Sequence, residues 1–448
     1  MDRWSTAWCL TLAALFVGFA IQMNLGRLDD GAMLLLTLGI ALAVVGLARP
    51  DWRAIAVSNV RFALAAALIV QFGLLFFWPP SAAPALQLNA TLLPFRIGLV
   101  AALALALVEL TDLQTLQRTR LVTLFAFWMM SALWVIAITP VPANDVWWFQ
   151  QTGSQALLHG TDPYTVQMPN IFGPGSPFYA PETMVGNHLT FGLPYPPLSL
   201  LLTLPGYLLF GDVRYALRAA VVVAAAVMAT LQPGPVARGA ALLFMFTPRS
   251  LFVVVQSWTE PLLVLMLAAL VAVSVRRQLL ALMPLALGLL LAVKQHLALV
   301  LPMAALLVPP PRTWARLARA AVVAIAVAAV ITVPFLVWDP AGFWRSLVAL
   351  QFQQPFRSDA LSYVAWLRLD NPALGSALGF LAVIPPAVLA VFRAARTPAG
   401  FAGTVGVVYL FFFAFNKQAF ANYYYFVIGA LCCAVAATSP PGPVDERA

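Results

Sequence analysis

Charged residues are scarce in this 448-residue sequence, making up 9% of it, while 62% of the residues are hydrophobic. Soluble domains contain about 25% charged residues and expose them to water. The shortage therefore excludes a soluble enzyme and a disordered protein. It predicts an all-α polytopic membrane protein, because helices of about 20 apolar residues satisfy their own backbone hydrogen bonds inside a bilayer.

Several sequence signals of other protein classes are also missing. The three cysteines, Cys9, Cys432 and Cys433, lie in apolar blocks and form neither a disulfide pattern nor a CxxC motif. The sequence has no GxxxxGK[ST] loop, no HExxH motif and no Asp-x-Asp pair in its predicted outer loops. We therefore expect no ATP-driven chemistry, no metal and no cofactor. The net charge of +9 is spread over short loops, so no nucleic-acid partner is expected either.

About fourteen apolar blocks alternate with short polar segments, which predicts a bundle of about 12–14 transmembrane helices. The first block, 6–25, is predicted to be a retained helix rather than a cleaved signal peptide. Arginine-rich loops all fall on one side when the blocks are counted. By the positive-inside rule that side is cytoplasmic, and both termini join it in a multi-pass protein of the cytoplasmic membrane. The loops concerned carry Arg49 and Arg53, Arg118 and Arg120, Arg238, Arg276 and Arg277, Arg312, Arg316 and Arg319, and Arg393 and Arg396.

The opposite, outer side holds a long segment without Lys or Arg between Arg120 and Arg214. Its residues 140–194 are too polar to span, and loops of this length are usually functional or disordered. Residues 196–210 are ambiguous, and we favour a helix at the outer surface over a membrane span. The predicted divisions are 1–120 (N-terminal helices), 121–310 (a core with the outer loop 140–213), 311–437 (C-terminal helices with the outer segment 339–371) and 438–448 (a disordered cytoplasmic tail).

Asp145 begins this outer loop in the sequence Pro142-Ala-Asn-Asp145-Val-Trp-Trp. A carboxylate at the membrane–water boundary suits a general base that acts on a hydroxyl arriving from outside. The alternative is a solvated or helix-capping aspartate. A predicted amphipathic helix, Trp147 to His159, follows and ends in Gly160-Thr-Asp162-Pro-Tyr164. Further on, Pro194-Tyr195-Pro196-Pro197-Leu198 leads into the surface helix.

In order and spacing, these motifs resemble the GT-C superfamily of membrane glycosyltransferases over residues 125–300. They look most like glycosyltransferase family 87 and its polyprenyl-phosphomannose-dependent relatives. The resemblance implies a GT-C-type bundle in which Asp145 is the catalytic base and the other loop residues contact substrate. Family members usually show this loop after their first helix, whereas about five predicted spans precede it here. Either the first four are an added module, or the motifs do not correspond position by position.

Three polar interruptions of apolar blocks complete the predicted outer site. Gln256 and Glu260 resemble superfamily residues near the sugar, although Thr259 and Glu260 could also begin a helix. Lys294 and His296 interrupt the apolar run 279–308, and a cation there could hold a lipid-linked phosphate or simply snorkel to the interface. Lys417 and Tyr424 form a similar turn, where tyrosines also serve as an aromatic belt. The predicted substrate-binding residues are Asp162, Tyr164, Tyr195, Gln256, Glu260, Lys294, His296, Lys417 and Tyr424.

The sequence thus predicts an inverting glycosyltransferase at the outer face. Its donor would be a polyprenyl-phosphate sugar, mannose by resemblance, and its acceptor a lipid or glycan. The alternative is a transporter or flippase of lipid-linked glycans, but paired mid-membrane charges and repeated halves are not evident. A non-catalytic assembly protein that keeps the GT-C scaffold is a third possibility.

Overall fold

The structure is a computed structural model that describes residues 3–48, 55–81, 89–173 and 175–438. Within these ranges the chain is predominantly helical, which confirms the predicted all-α polytopic membrane fold. Seven of the described helices are long and apolar enough to cross a bilayer, and seven shorter apolar helical stretches accompany them. The predicted loop with Arg49 and Arg53, and residues 439–448 of the predicted tail, lie outside the described residues.

The helices follow one another with short connections except at two places. Those before the long loop are α1 (Arg3–Gln22), α2 (Asp30–Ala48), α3 (Val57–Phe77), α4 (Asn89–Glu109) and α5 (Gln117–Ala137). The loop contains α6 (Asp145–Leu158), the antiparallel strands β1 (Met184–Val185) and β2 (His188–Leu189), and α7 (Pro197–Phe210). The central helices are α8 (Arg214–Ala229), α9 (Pro235–Met245), α10 (Ser250–Val255), α11 (Glu260–Val275), α12 (Met283–Leu291) and α13 (Val300–Met303).

The last part of the chain contains a second long connection between two membrane helices. Its helices are α14 (Trp314–Trp338), α15 (Pro340–Phe343), α16 (Leu350–Gln353), α17 (Tyr363–Trp366), α18 (Pro372–Ala382), α19 (Ile384–Arg393), α20 (Pro398–Ala414) and α21 (Ala421–Ala436). A π-helical turn, Trp344–Ala349, joins α15 to α16. Short 3₁₀ turns occupy Met23–Gly26, Pro181–Thr183, Arg277–Leu282, Gln295–Leu299 and Ala304–Leu306.

The first and last described helices pack against each other. Helix α1 contacts α2, α3 and α21, and α21 in turn contacts α9, α11 and α20, so all of these share one hydrophobic core. Gly26 has a positive φ of 72° beside the start of α21. A Cβ there would lie 2.6 Å from the Cβ of Ala421, so the close approach requires glycine. The predicted boundary at residue 120 stays a prediction.

Polar contacts gather at the two ends of this bundle. At one end, which we call the site end, Arg249 donates to the Gln22 carbonyl at 2.8 Å where α1 finishes. At the opposite end, the buried carboxylate of Glu109 pairs with Arg120 at 2.6 Å and with Arg238 at 2.8 Å. Arginines from two loops that the sequence assigned to the same side therefore meet at one end. The residues of the predicted outer loops lie at the other end.

Helix α7 lies across the site end. Its 14 residues reach about 21 Å, which is short of the roughly 30 Å hydrocarbon core. Both of its flanks contact the loop, because Tyr164 donates to the Tyr195 carbonyl before it and Gln151 donates to the Gly211 carbonyl after it. Gly211, with a φ of 74°, ends the helix and turns the chain into α8. Whether 196–210 lies at the outer surface or spans the membrane stays a prediction.

The loop and the predicted outer segment 339–371 form a second hydrophobic core above the bundle. Ser346 ties them together, because its hydroxyl donates to the Tyr164 carbonyl at 3.0 Å and accepts from the Gly192 amide at 2.9 Å. The two long connections are therefore ordered against each other, and they enclose the site end. The buried members of this core are Phe149, Tyr164, Met168, Tyr179, Leu189, Phe191, Leu193, Leu200, Phe335, Phe343, Leu347 and Leu350.

Candidate active site

Asp145 is the first residue of α6. The residue that caps the helix is Asn144, whose side chain accepts from the Val146 amide at 2.8 Å. The N-cap position of α6 thus belongs to Asn144, and Asp145 follows it in the first turn of the helix. The positive end of the helix dipole favours a negative charge at this position. Tyr179 donates a hydrogen bond of 2.6 Å to Oδ2 of Asp145.

Burial raises the pKa of Asp145 above its usual value. Water is a better solvent for the ionised carboxylate than the loop interior is, so removing water favours the protonated form. The hydrogen bond from Tyr179, the helix amides and the nearby Arg357 guanidinium partly offset this increase in the pKa. A carboxylate with a raised pKa is a stronger base than a solvated aspartate.

Helix α6 is held in place by polar contacts along its buried face. The Gln150 side chain is fully buried and bonds to Ser199 at 3.3 Å and Thr203 at 3.0 Å, both on α7. Arg214 pairs with Asp212 and donates to the Thr139 carbonyl at 2.6 Å, which fixes the start of α8 to the end of α5. Asp145 thus sits on a rigid support.

Lys294 and Glu260 form a buried ion pair at the same end of the bundle. Asn422 adds a hydrogen bond of 3.0 Å to Oε1 of Glu260. Oε2 of Glu260 has no hydrogen-bond partner among the described residues. Thr259 occupies the N-cap position of α11 and Glu260 begins the helix, as that alternative predicted, although the Thr259 side chain makes no capping hydrogen bond.

Two tyrosine rings flank the Lys294 ammonium group. Its Nζ lies 5.4 Å from the centre of the Tyr195 ring and 5.5 Å from that of Tyr423, which are cation–π distances. Burial raises the pKa of Tyr195, and the charges of Asp145 and Glu260 raise that pKa further. Asp145, Glu260 and Lys294 therefore all lie within electrostatic or cation–π range of Tyr195, and a shared substrate role for these residues stays a prediction.

Asp162 and Tyr164 are linked to the backbone of Tyr195 by hydrogen bonds. Oδ1 of Asp162 accepts from the Tyr164 amide at 2.9 Å, and the Tyr164 hydroxyl donates to the Tyr195 carbonyl at 2.8 Å. Tyr164 is fully buried. These contacts position Tyr195, and a direct contact of either residue with substrate stays a prediction.

The other predicted residues surround the site at different depths. Gln256 ends α10 and is partly buried. His296 packs in an aromatic cluster, with its ring centre 5.3 Å from that of Tyr409 and 5.5 Å from that of Phe413. Lys417 donates to the Gln354 carbonyl at 2.6 Å, and Tyr424 donates to the Leu361 carbonyl. Lys417 and Tyr424 therefore anchor the outer segment, and the substrate roles predicted for all four residues stay predictions.

Tyr179 is a site residue that sequence reasoning missed. It follows Asp145 by 34 residues, and no spacing rule connects two residues on an irregular loop. Burial raises its pKa, and the Asp145 charge adds to the increase. Three further arginines lie in the predicted outer segments and could also hold a phosphate. Arg357 pairs with Asp359, Arg249 is buried beside Gln22, and Arg345 is exposed.

A cavity of about 550 Å³ opens next to Tyr179. It lies between loop residues 175–184 and the outer-segment residues 352–356. Across the ranges that the structure describes, no three His, Cys, Asp or Glu side chains are grouped as metal ligands would be.

Comparison with known proteins gives one partial structural likeness. No protein-family model and no curated protein matches the sequence. A solved structure similar to this one is that of ArnT from Cupriavidus metallidurans bound to undecaprenyl phosphate. The two chains are 19% identical, the TM-score is 0.45, and the match covers 71% of this chain and 59% of the ArnT chain. The likeness therefore spans less than two thirds of ArnT.

Proposed function

We propose that this membrane protein is an inverting glycosyltransferase of the GT-C type. It takes a sugar from a polyprenyl-phosphate carrier and passes it to a hydroxyl of a lipid or glycan acceptor. The site end faces the outside of the cytoplasmic membrane, and mannose is the sugar that the sequence resemblance favours. The observation that supports the proposal best concerns Tyr195, whose ring lies 5.4 Å from the buried Lys294 ammonium group and within electrostatic range of Asp145, a carboxylate with a raised pKa.

In the proposed reaction, Asp145 accepts the proton of the acceptor hydroxyl. The oxygen forms a bond to the anomeric carbon of the sugar, while the bond between that carbon and the phosphate oxygen breaks. Both electrons of the broken bond stay on the phosphate, so polyprenyl phosphate leaves with one more negative charge. The proton remains on Asp145 until water removes it. The substitution inverts the configuration because base and leaving group act on opposite faces of the sugar.

Lys294 stabilises the negative charge that develops on the leaving phosphate. An ammonium group has three hydrogen-bond donors, so Lys294 can bind phosphate while it still contacts Glu260. Asn422 also donates to Glu260, and this bond holds the carboxylate when the ammonium group turns toward the phosphate. The rings of Tyr195 and Tyr423 flank the ammonium group and form the walls against which the sugar ring lies.

The direct test is sugar transfer by purified protein in detergent, with a polyprenyl-phosphate sugar labelled in the sugar and no ion gradient. Asp145→Asn should lower transfer about 100-fold or more, since general-base catalysis contributes about 10²–10⁴-fold. Asp370→Asn is the matched control, because Asp370 is an exposed acid of the outer segment. Full activity of Asp145→Asn would show that Asp145 is not the base. Movement of the intact lipid-linked sugar across vesicles without transfer would favour a flippase.

A further inference from the structure

The cavity of about 550 Å³ beside Tyr179 has no role in the mechanism above. Its volume falls within the range of about 300–1,000 Å³ that is usual for small-molecule pockets. The loop supplies one wall of the cavity and the outer segment supplies the other. Its lining includes Ser176, Tyr179, Glu182, Phe352, Gln354 and Phe356.

Tyr179 connects this cavity to the catalytic residue. It contributes to the cavity wall, and its hydroxyl donates to Oδ2 of Asp145 at 2.6 Å. A molecule in the cavity is thus separated from the proposed base by a single side chain. Tyr179 is mostly buried, and its ring packs 6.0 Å from that of Phe191, so the surrounding core defines its position.

The lining of the cavity contains no Lys, Arg or His among the described residues, and Glu182 is its one carboxylate. The nearby cations are engaged elsewhere. Lys417 donates a hydrogen bond to the Gln354 carbonyl. Arg357 pairs with Asp359, and its guanidinium lies 4.2 Å from the centre of the Phe178 ring. Aromatic, proline, amide and hydroxyl groups together suit an uncharged polyhydroxylated molecule, whereas Glu182 repels an anion.

We infer that this cavity binds the acceptor, and that the acceptor group there is an uncharged carbohydrate. Tyr179 is a positioning residue that holds the Asp145 carboxylate, and the acceptor hydroxyl reaches the carboxylate beside this hydrogen bond. The anionic phosphate of the donor is bound separately, at Lys294. This inference rests on the proposed glycosyltransferase function and adds to it the location and charge class of the acceptor.

The first experiment blocks the cavity. The full-length protein in detergent is given labelled polyprenyl-phosphate mannose, with methyl α-mannoside as the acceptor probe. Release of polyprenyl phosphate and label on the methyl mannoside are measured separately, since water can replace the acceptor. Ser176→Trp should lower transfer to methyl mannoside at least tenfold while polyprenyl phosphate is still released. Val185→Trp is the control, because Val185 is exposed on the same loop and does not line the cavity.

The second experiment tests the charge of the acceptor. Wild-type protein should transfer sugar to methyl mannoside with a higher kcat/KM than to methyl glucuronide, which is of similar size but anionic. Glu182→Gln should raise the kcat/KM for the glucuronide by about fivefold and leave that for the mannoside unchanged, because one repulsive charge is removed.

The outcomes separate the two proposals. If Ser176→Trp transfers sugar to methyl mannoside as well as wild type does, the acceptor site is elsewhere and only the glycosyltransferase function stands. If Glu182→Gln leaves the preference between the two acceptors unchanged, the assigned charge class is wrong. If wild-type protein releases no polyprenyl phosphate, the proposed glycosyltransferase function is wrong, and the proposed acceptor site is wrong as well.

Discussion

Tyr179 tunes Asp145 through one hydrogen bond. A donor to the ionised carboxylate lowers the pKa, whereas burial, the larger effect, raises it. Asp145 must be ionised to accept a proton, so transfer should decline as the pH falls through its raised pKa. The acid limb of the pH profile should therefore lie above the usual range for aspartate, which is near 3.9.

Replacement of Tyr179 by Phe removes the donor and leaves burial in place. The pKa of Asp145 then rises further, and the acid limb of the kcat/KM profile should move to higher pH. Tyr363→Phe is a suitable control, because the hydroxyl of Tyr363 pairs with Thr37 at 2.6 Å and not with Asp145. An acid limb that stays in place or moves to lower pH in Tyr179→Phe would contradict the proposed role of this hydrogen bond.

The Lys294–Glu260 pair allows stability and catalysis to be separated. Lys294→Met leaves the Glu260 carboxylate buried without its cation, and loss of one partner from a buried pair costs about 3–5 kcal/mol of unfolding free energy. The double variant Lys294→Met with Glu260→Gln removes both charges and should recover most of the stability, measured as the melting temperature in detergent.

Transfer activity should not recover in that double variant, because the leaving phosphate still lacks its cation. We expect a loss of about 100-fold or more in kcat, typical of removing one group that stabilises developing charge. Wild-type activity in a stable double variant would show that Lys294 does not bind the phosphate.

At the scale of elements, α6 carries the proposed base Asp145 but depends on α5, α7 and α8 for its position. Arg214 connects α8 to α5. Its guanidinium is buried, pairs with Asp212 and donates to two carbonyls just after the end of α5. Its 5.9 Å approach to the Trp147 ring also links it to α6.

Arg214→Met should therefore lower the melting temperature and reduce transfer, because Asp212 and the α5 carbonyls lose their partner. The expected cost is about 2–5 kcal/mol, the range for breaking a buried charge network. Arg218→Met, one turn further along α8, is the comparison, because Arg218 is only half-buried and stacks on Tyr215. Equal melting temperatures for the two variants would show that Arg214 does not stabilise the contact between α5 and α8.

At the scale of the whole molecule, hydropathy was enough to predict an all-α polytopic membrane protein, whereas the sidedness inferred from the arginines stays a prediction. The single contiguous motif at Asp145 was enough to predict the start of α6 to within two residues. Tyr179 could not be predicted, because its contact with Asp145 depends on how an irregular loop folds. Lys417 could be assigned to the correct end of the bundle, but its bond to the Gln354 carbonyl depends on side-chain packing that hydropathy does not report.

The contact between α1 and α21 has a consequence for how the protein is made. Helix α1 is synthesised before α21, the last described helix, yet the two pack against each other. Until that helix arrives, lipid must cover the waiting face of α1. Glu260 likewise lacks its bond from Asn422 until α21 is in place. The growing chain therefore has no complete candidate site until α21 has been made, and the proposed sugar transfer should begin only after that.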